Sequence, residues 1–213
     1  MLADVKSYWE AQVCDSKNGG KLQGRAYYEA IERARIASFE FTQPTLYSGK
    51  KVLEVGVGSG VDFVQWCKAG CDVYGIDLTE AAVEHTKKWL ETYGLKGDVQ
   101  VGNAECLPFS DNTFDLVYSW GVLHHTPRTD VAIKECIRVC KPGSEIKLML
   151  YNTHSLFAYG LRLTHRQMES QGTKTFTIRE ICEMCSASVF VASKTNTYDK
   201  MLSISWPFQL VAK

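Results

Sequence analysis

The chain has 213 residues, 45% of them hydrophobic and 23% charged, which is typical of one soluble globular domain. Its 24 Lys and Arg residues balance its 24 Asp and Glu residues. Because no net positive field is available to hold a phosphate backbone, we expect no nucleic-acid partner. Near-zero net charge gives little protection against self-association, so a homo-oligomer stays among the expectations.

Neither a targeting signal nor a membrane span is predicted. No apolar run reaches the roughly 20 residues of a spanning helix, and residues 1–6 lack the apolar core of a signal peptide. We therefore expect a cytoplasmic protein whose eight cysteines are reduced. Cys182 and Cys185 form a Cys-x-x-Cys pair, but no second pair or histidine stands at zinc spacing, so packing is predicted and no metal.

Residues 1–45 precede the first predicted strand and are expected to form a small helical cap, separate from a core over residues 46–213. Helical spacing over residues 26–39 supports this division. The segment is rich in aromatic side chains, which predict either a lid over a binding site or simple packing against the sheet edge. The candidates for the lid are Tyr8, Trp9 and Tyr28.

A glycine-rich loop follows the first predicted strand, residues 51–55, and precedes a helix over residues 61–69. The loop reads Gly56-Val57-Gly58-Ser59-Gly60, and Glu54 stands two residues before it. Glycine has no Cβ, so the backbone of such a loop can approach a ligand closely. A strand, a glycine loop and a helix in this order predict a site for a ligand that contains a nucleoside.

The second predicted strand, residues 72–76, is followed directly by Asp77. An acid at this position can accept hydrogen bonds from both ribose hydroxyls. A dinucleotide-binding loop would have its third small residue where Val61 stands, so a nicotinamide-dependent oxidoreductase is the weaker alternative. Leu78 is predicted to pack on the base, with an ordinary core position as the alternative.

Strands and helices continue to alternate along the chain. Thr79 is a good N-cap and Gly94 a good C-terminal stop for a helix between them. Further strands are predicted over 98–101, 114–119 and 145–151, and a further helix over 129–140. This alternation predicts an α/β, Rossmann-like, mostly parallel sheet with helices on both faces. Ligands bind beyond the carboxyl ends of such strands, where the glycine loop and Asp77 converge.

Three more segments follow in order: Asn103-Ala104-Glu105-Cys106-Leu107-Pro108-Phe109, then residues 114–127 with Ser119-Trp120-Gly121 and His124-His125, then Arg138-Val139-Cys140-Lys141-Pro142-Gly143. Together with the glycine loop they resemble the motifs of class I S-adenosylmethionine-dependent methyltransferases. The likeness is to the small-molecule type, similar to the ubiquinone and menaquinone C-methyltransferase group. It covers residues 48–151.

The resemblance implies S-adenosylmethionine as cofactor, S-adenosylhomocysteine as product, and a seven-stranded sheet whose last strand is antiparallel. The residue pattern itself predicts helices over 154–171 and 178–185 and strand-like segments over 189–193 and 208–212. The resemblance implies that these two segments form the sixth strand and the antiparallel seventh inserted beside it, with Pro207 opening the last strand. The cofactor-binding residues that it implies are Glu54, Gly56, Val57, Gly58, Gly60, Asp77, Leu78, Asn103, Ala104, Glu105, Ser119, Trp120 and Gly121. Position 103 is more often Asp in the family, which leaves the details of adenine recognition open.

The predicted activity is transfer of a methyl group to a small-molecule acceptor by in-line displacement. His125 is the candidate general base or acceptor-orienting group, and His124 is expected to pack inward with a lesser claim to catalysis. A base is needed only for some acceptors, because alignment of the reactants alone supplies much of the rate. The alternative is a cofactor-binding module or regulatory subunit that transfers no methyl group.

Overall fold

A seven-stranded sheet lies at the centre of the molecule, with strand order β3-β2-β1-β4-β5-β7-β6. The computed structural model describes residues 2–14, 16–35, 39–155, 158, 170, 172–185, 189–193 and 205–212. The strands are β1 Lys51–Val55, β2 Asp72–Asp77, β3 Asp98–Val101, β4 Phe114–Trp120, β5 Cys140–Tyr151, β6 Val189–Ser193 and β7 Ser205–Ala212. Strands β1 to β5 are parallel, and β7 is inserted antiparallel between β5 and β6. The predicted α/β class and Rossmann-like parallel sheet are confirmed.

Seven α-helices surround the described part of the sheet. They are α1 Leu2–Glu10, α2 Gly24–Arg35, α3 Phe39–Thr42, α4 Val61–Lys68, α5 Glu80–Tyr93, α6 Thr129–Val139 and α7 Ile178–Cys185. Short 3₁₀ helices cover Ser16–Gly19, Pro44–Tyr47 and Leu123–His125. Among the described residues, no helix combines the length and apolar character needed to cross a bilayer.

The sheet separates two apolar layers. Within β1, Leu53 and Val55 belong to one layer and Val52 to the other, as the period of two in a strand requires. Helices α6 and α7 contribute to the first layer, and α2, α4 and α5 contribute to the second. Both faces of the parallel sheet are therefore covered, as expected for this class.

Local signals fix the ends of helix α5. The Thr79 side chain accepts a hydrogen bond from the Ala82 N–H at 3.4 Å, and Gly94 ends the helix in the left-handed region at φ 63°. Both caps are as predicted. Because only Leu78 and Thr79 separate the end of β2 from the start of α5, the N-terminus of α5 stays at the carboxyl edge of the sheet.

Two boundaries differ from the prediction. Strand β5 begins at Cys140, not at residue 145, because Cys140 already pairs with Phe114 before a register irregularity that holds the Pro-Gly turn. Pro207 does not open β7: it is the third residue of that strand and lies opposite Met149. Strand β6 pairs only with residues 208–212, so Pro207 lies beyond that ladder, where a residue without N–H is tolerated. Most of the helix expected over residues 154–171 lies outside the described residues.

Candidate functional site

A cavity of about 300 Å³ opens at the carboxyl ends of the five parallel strands. Each of these strands contributes lining residues at or just beyond its end, and helix α1 contributes from the N-terminal segment. Twelve of the predicted site residues line the cavity: Trp9, Glu54, Gly56, Val57, Gly58, Asp77, Leu78, Asn103, Ala104, Trp120, Gly121 and His125. The fold thus brings together residues that are up to 116 positions apart (9 to 125) in the sequence.

Three predicted cofactor-binding residues are not among the lining residues. Gly60 is the N-cap of helix α4, with a φ of 81°, and a Cβ there would lie 2.6 Å from Thr86 Oγ1. The Ser119 hydroxyl donates to the Val55 carbonyl at 2.8 Å, which ties the ends of β4 and β1 together. Glu105 turns away, and its carboxylate accepts from the backbone N–H and Nε of Arg128 at 2.7 and 2.9 Å. Their contacts hold the walls of the cavity in place.

His124, Tyr8 and Tyr28 also lie outside the lining. His124 is fully buried and stacks on Tyr151 with 4.1 Å between ring centroids. Tyr28 stacks on Trp89 beneath helix α2, with centroids 4.7 Å apart. Tyr8 contacts Trp9 edge-on at 5.0 Å. Of the three aromatic residues considered for a lid, Trp9 alone borders the cavity in the described structure.

Backbone hydrogen bonds shape the glycine loop. The N–H groups of Gly56 and Val57 both donate to the Ile76 carbonyl, at 2.8 and 3.2 Å, so the loop folds back against the end of β2. Gly56 has a φ of 83°, and a Cβ there would lie 2.2 Å from Val122 Cγ2. Only glycine satisfies both conditions, because other residues rarely adopt this φ and carry the clashing atom.

Asp77 already holds the site together without a ligand. One carboxylate oxygen accepts from the Gly58 N–H at 3.0 Å, and the other accepts from the Thr79 N–H and hydroxyl at 2.9 and 2.8 Å. Burial raises the pKa of Asp77, and these hydrogen bonds act in the opposite direction. An ionised carboxylate has about four lone-pair sites, so capacity is left for a further donor.

A cluster of charged side chains lies at the β1 end of the cavity. Asp62 is buried on α4 and accepts from the Arg35 guanidinium at 2.9 Å and the Tyr118 hydroxyl at 2.7 Å. Burial raises the pKa of Glu54 well above its usual range, and the charge of Asp62 raises it further. Glu54 and Asp62 are thus two acids beside a single guanidinium, an arrangement suited to a cationic group of a ligand.

Arg35 and Asp62 also line the cavity, and neither was predicted from the sequence. The signal for Asp62 was its place at the second position of the helix after the glycine loop. No comparable local signal marked Arg35, because its contact with Asp62 joins residues 27 positions apart. Met149 and Tyr151, at the end of β5, are among the other lining residues that were not predicted.

His125 lies at the edge of the cavity close to helix α1. Its ring contacts Trp9 edge-on at 5.2 Å between centroids. Its Nδ1 lies 2.8 Å from the Ser170 hydroxyl and 2.9 Å from the Thr173 hydroxyl. By contrast, burial and the neighbouring His125 lower the pKa of His124 well below its usual range, so His124 stays neutral.

Helix α1 is fastened over the cavity by one carboxylate. The Glu10 side chain accepts from the Ala81 N–H at 2.9 Å and the Glu80 N–H at 3.3 Å, the free donors at the N-terminus of α5. Because a helix N-terminus carries partial positive charge, this pairing is favourable. Lys6 adds an exposed ion pair with Glu80 at 3.5 Å. Leu2, Val5 and Trp9 of α1 thereby border the cavity.

The fold and the site define a class. A glycine loop after β1, an acid at the tip of β2 and a cavity across the ends of parallel strands form the nucleoside-binding arrangement of Rossmann-like proteins. Within that class, residues 53–147 match the model of the methyltransferase domain family. Over these residues the chain is similar to that family, and the cofactor expected from the sequence is S-adenosylmethionine.

Curated relatives match about half of the chain. An uncharacterized protein of Mycobacterium tuberculosis is 33% identical over 109 residues, which is 51% of this chain and 40% of that protein. The ubiquinone biosynthesis O-methyltransferase of Azoarcus sp. (strain BH72) is 34% identical over 100 residues, 46% of this chain and 43% of the enzyme. The chain thus aligns with less than half the length of these relatives.

Solved structures are similar over the whole chain. The magnesium protoporphyrin IX methyltransferase of Synechocystis PCC 6803, crystallised with S-adenosylhomocysteine, superposes with a TM-score of 0.75 and 14% identity, covering 100% of both chains. At this identity the likeness shows the fold alone.

The residues present fit the family's cofactor. Glu54 Oε2 is buried, and no described residue offers it a hydrogen bond, so an acceptor is available for a cationic amino group. At Gly58 an added Cβ would meet only Cys14, at 3.4 Å, so one side of the loop is open. A buried acid beside an open glycine loop suits a ligand that joins a nucleoside to an amino acid, because a cationic amino group would favour the ionised form of Glu54.

Proposed function

We propose that this protein transfers a methyl group from S-adenosylmethionine to a small-molecule acceptor. The observation that carries the proposal is the convergence of the glycine loop, Asp77, Glu54 and His125 on one cavity. When bound, the cofactor supplies an electrophilic methyl group on a sulfonium. The protein's own task is then to align that group with the acceptor, and alignment can contribute about 7–11 kcal/mol.

Opposite ends of the cavity would hold opposite ends of the cofactor. Asp77 accepts hydrogen bonds from the ribose hydroxyls, while Asn103 and Ala104 meet the adenine edge and Leu78 packs on its face. Glu54 receives the amino group, since its Oε2 is buried without a described partner. Charge-assisted hydrogen bonds of this kind contribute about 1.5–3 kcal/mol each.

Trp120 and Gly121, at the end of β4, would flank the methionine portion. A sulfonium is a soft cation, which an aromatic face and backbone carbonyls suit better than a basic side chain does. The Arg35 guanidinium lies over the Trp120 ring at 5.2 Å from its centroid and pairs with Asp62. That ion pair keeps the guanidinium charge compensated beside the cationic cofactor.

The acceptor would enter between His125 and helix α1. Trp9, Met149 and Tyr151 supply an apolar wall there, and His125 supplies the polar group that orients the acceptor or takes its proton. Residues 1–45 act in this proposal as a helical lid, with α1 covering the site, and residues 46–213 act as the cofactor-binding core.

A thermal-shift comparison tests the choice of cofactor. Saturating S-adenosylhomocysteine at 100 times its Kd adds about 2.7 kcal/mol of stability. For a chain of this size the melting temperature should rise by roughly 5–11 °C. NAD serves as the control and should leave it unchanged. A rise with NAD and none with S-adenosylhomocysteine would contradict the proposal.

Transfer itself is tested with S-adenosylmethionine carrying a labelled methyl group and a panel of small hydroxyl, amine and thiol acceptors. We expect label in at least one acceptor, with loss of most of that activity in His125→Ala and little change in cofactor affinity. Cofactor binding without transfer to any acceptor on a broad panel would favour a binding module over an enzyme.

A further inference from the structure

A segment beyond the family match reaches the proposed acceptor site. Residues 172–177 run beside the loop that carries His124 and His125. The Lys174 N–H donates to the His124 carbonyl at 3.0 Å, and its Nζ donates to the carbonyls of Thr126 and Pro127 at 3.3 and 2.6 Å. These bonds fix the segment against the loop, so its side chains have defined positions relative to the His125 ring.

Two hydroxyls meet the same ring nitrogen, one from Thr173 of this segment and one from Ser170. His125 Nδ1 lies 2.8 Å from Ser170 Oγ and 2.9 Å from Thr173 Oγ1. Ser170 is fully buried, and His125 is only 5% exposed. Because water has little access here, the two hydroxyls and the imidazole make their hydrogen bonds largely within the protein.

The positions of the protons follow from the donors and acceptors. The Thr173 hydroxyl donates its single hydrogen to the Ser170 carbonyl at 2.7 Å. Toward His125, its oxygen can therefore act only as a hydrogen-bond acceptor. Acceptance requires a hydrogen on Nδ1. In the opposite tautomer Ser170 could donate to Nδ1, but a Thr173 lone pair would face the Nδ1 lone pair at 2.9 Å.

We propose that Thr173 and Ser170 are positioning residues that hold His125 as the Nδ1–H tautomer, with Nε2 as the proton acceptor. This inference rests on the proposed function and narrows the acceptor to a molecule with a protic group, such as a hydroxyl. As the acceptor oxygen bonds to the methyl carbon, the carbon–sulfur bond breaks and its electron pair stays on sulfur. Nε2 takes the hydroxyl proton, and the two hydroxyl oxygens stabilise the resulting imidazolium at Nδ1–H.

Nitrogen NMR of the full chain labelled with ¹⁵N-histidine tests the assignment, because the two tautomers give distinct ring-nitrogen shifts. His125→Gln identifies the His125 signals by their loss. In the wild type near pH 8 we expect a protonated Nδ1 and an unprotonated Nε2. A wild-type His125 with its hydrogen on Nε2 would overturn the proposal, whatever the behaviour of any variant.

Matched variants separate positioning from packing. Thr173→Val combined with Ser170→Ala removes both acceptors and should convert a measurable fraction of His125 to the Nε2–H form. Thr173→Ser alone keeps the oxygen and should preserve the wild-type tautomer. An unchanged tautomer in the double variant would refute the assignment. Calorimetry of the wild type with S-adenosylhomocysteine tests the proposed function separately, because the tautomer is read without any acceptor or cofactor.

Discussion

Asp77 illustrates how one side chain serves both the fold and the proposed function. Its carboxylate fixes Gly58 in the loop and the first turn of α5 through Thr79. Removal of the whole side chain would therefore disturb the loop as well as ribose binding. Asparagine keeps the shape of the side chain, but its amide nitrogen cannot accept from Gly58 or Thr79, so the fold must be checked together with binding.

We expect Asp77→Asn to weaken S-adenosylhomocysteine binding at least tenfold, about 1.4 kcal/mol, because a neutral amide offers fewer and weaker acceptor sites. Isothermal calorimetry measures the affinity, and circular dichroism checks the fold. Asp72→Asn, the same change at the exposed start of β2, is the control and should bind normally. Equal affinities for both variants would remove Asp77 from the ribose site.

His124 predicts a pH dependence of stability. Its folded pKa lies well below that of an exposed histidine, about 6.5, so the unfolded chain binds the proton more readily. The contribution of neutral His124 to the free energy of unfolding is therefore fully present above pH 6.5. It is lost progressively as the pH falls below 6.5 toward the pKa of the folded state. Between pH 7 and pH 5.5 this residue alone should cost about 1 kcal/mol.

Urea unfolding of the wild type and His124→Phe at these two pH values measures that cost. Phenylalanine can keep the stacking on Tyr151 and has no proton to bind. The variant should lose about 1 kcal/mol less than the wild type on acidification. Identical losses in the two proteins would show that His124 is not the group responsible.

At the scale of elements, the Glu10 carboxylate of α1 caps the N-terminus of α5 and helps to hold α1 in place. We expect Glu10→Ala to free α1 and to increase hydrogen exchange in residues 2–14, because two N–H donors lose their acceptor. Glu84→Ala removes a carboxylate from an exposed position of α5 and is the control. Exchange mass spectrometry that finds α1 equally protected in both variants would contradict the docking role.

Elements with a local signal were predicted well from the sequence. Neighbouring residues encode the alternation of side chains in β1 and the two ends of α5, with Thr79 as its N-cap and Gly94 as its C-cap. The start of β5 was missed because a Pro-Gly turn normally ends pairing, whereas here Cys140 pairs with β4 before the turn. The order of the last two strands came from the family resemblance, since no local pattern dictates it.

At the scale of the molecule, the candidate site was likewise predictable only where a local sequence signal exists. The glycine loop and Asp77 were predictable because parallel strands end at one edge, which brings their loops together. The Arg35–Asp62 pair and the hydroxyls around His125 were not, because each depends on contacts between distant segments. Sequence motifs identify which edge of the sheet carries the site, but only tertiary packing brings side chains from distant segments to that edge.

The eight cysteines, none of them in a disulfide, report on the integrity of the whole molecule. Burial raises the pKa of Cys140 to about 12 and that of Cys185 to about 11, so their reactive thiolate forms are scarce at neutral pH. In native protein at pH 7.5 we expect alkylation at the three exposed thiols, Cys14, Cys106 and Cys182. Buried Cys136 and Cys140 should react only after unfolding.

Peptide mass spectrometry after brief treatment with iodoacetamide gives the reactivity of each site. A urea-unfolded sample is the control in which all eight cysteines should be modified. Rapid labelling of Cys136 in the native protein would contradict the close packing of α6 against the sheet.

A crystal structure of the protein with S-adenosylhomocysteine would show where the cofactor binds. We expect density across the ends of the parallel strands, with the ribose hydroxyls at Asp77 and the amino group at Glu54. A ligand bound elsewhere, or a cavity without density at saturating concentration, would contradict it.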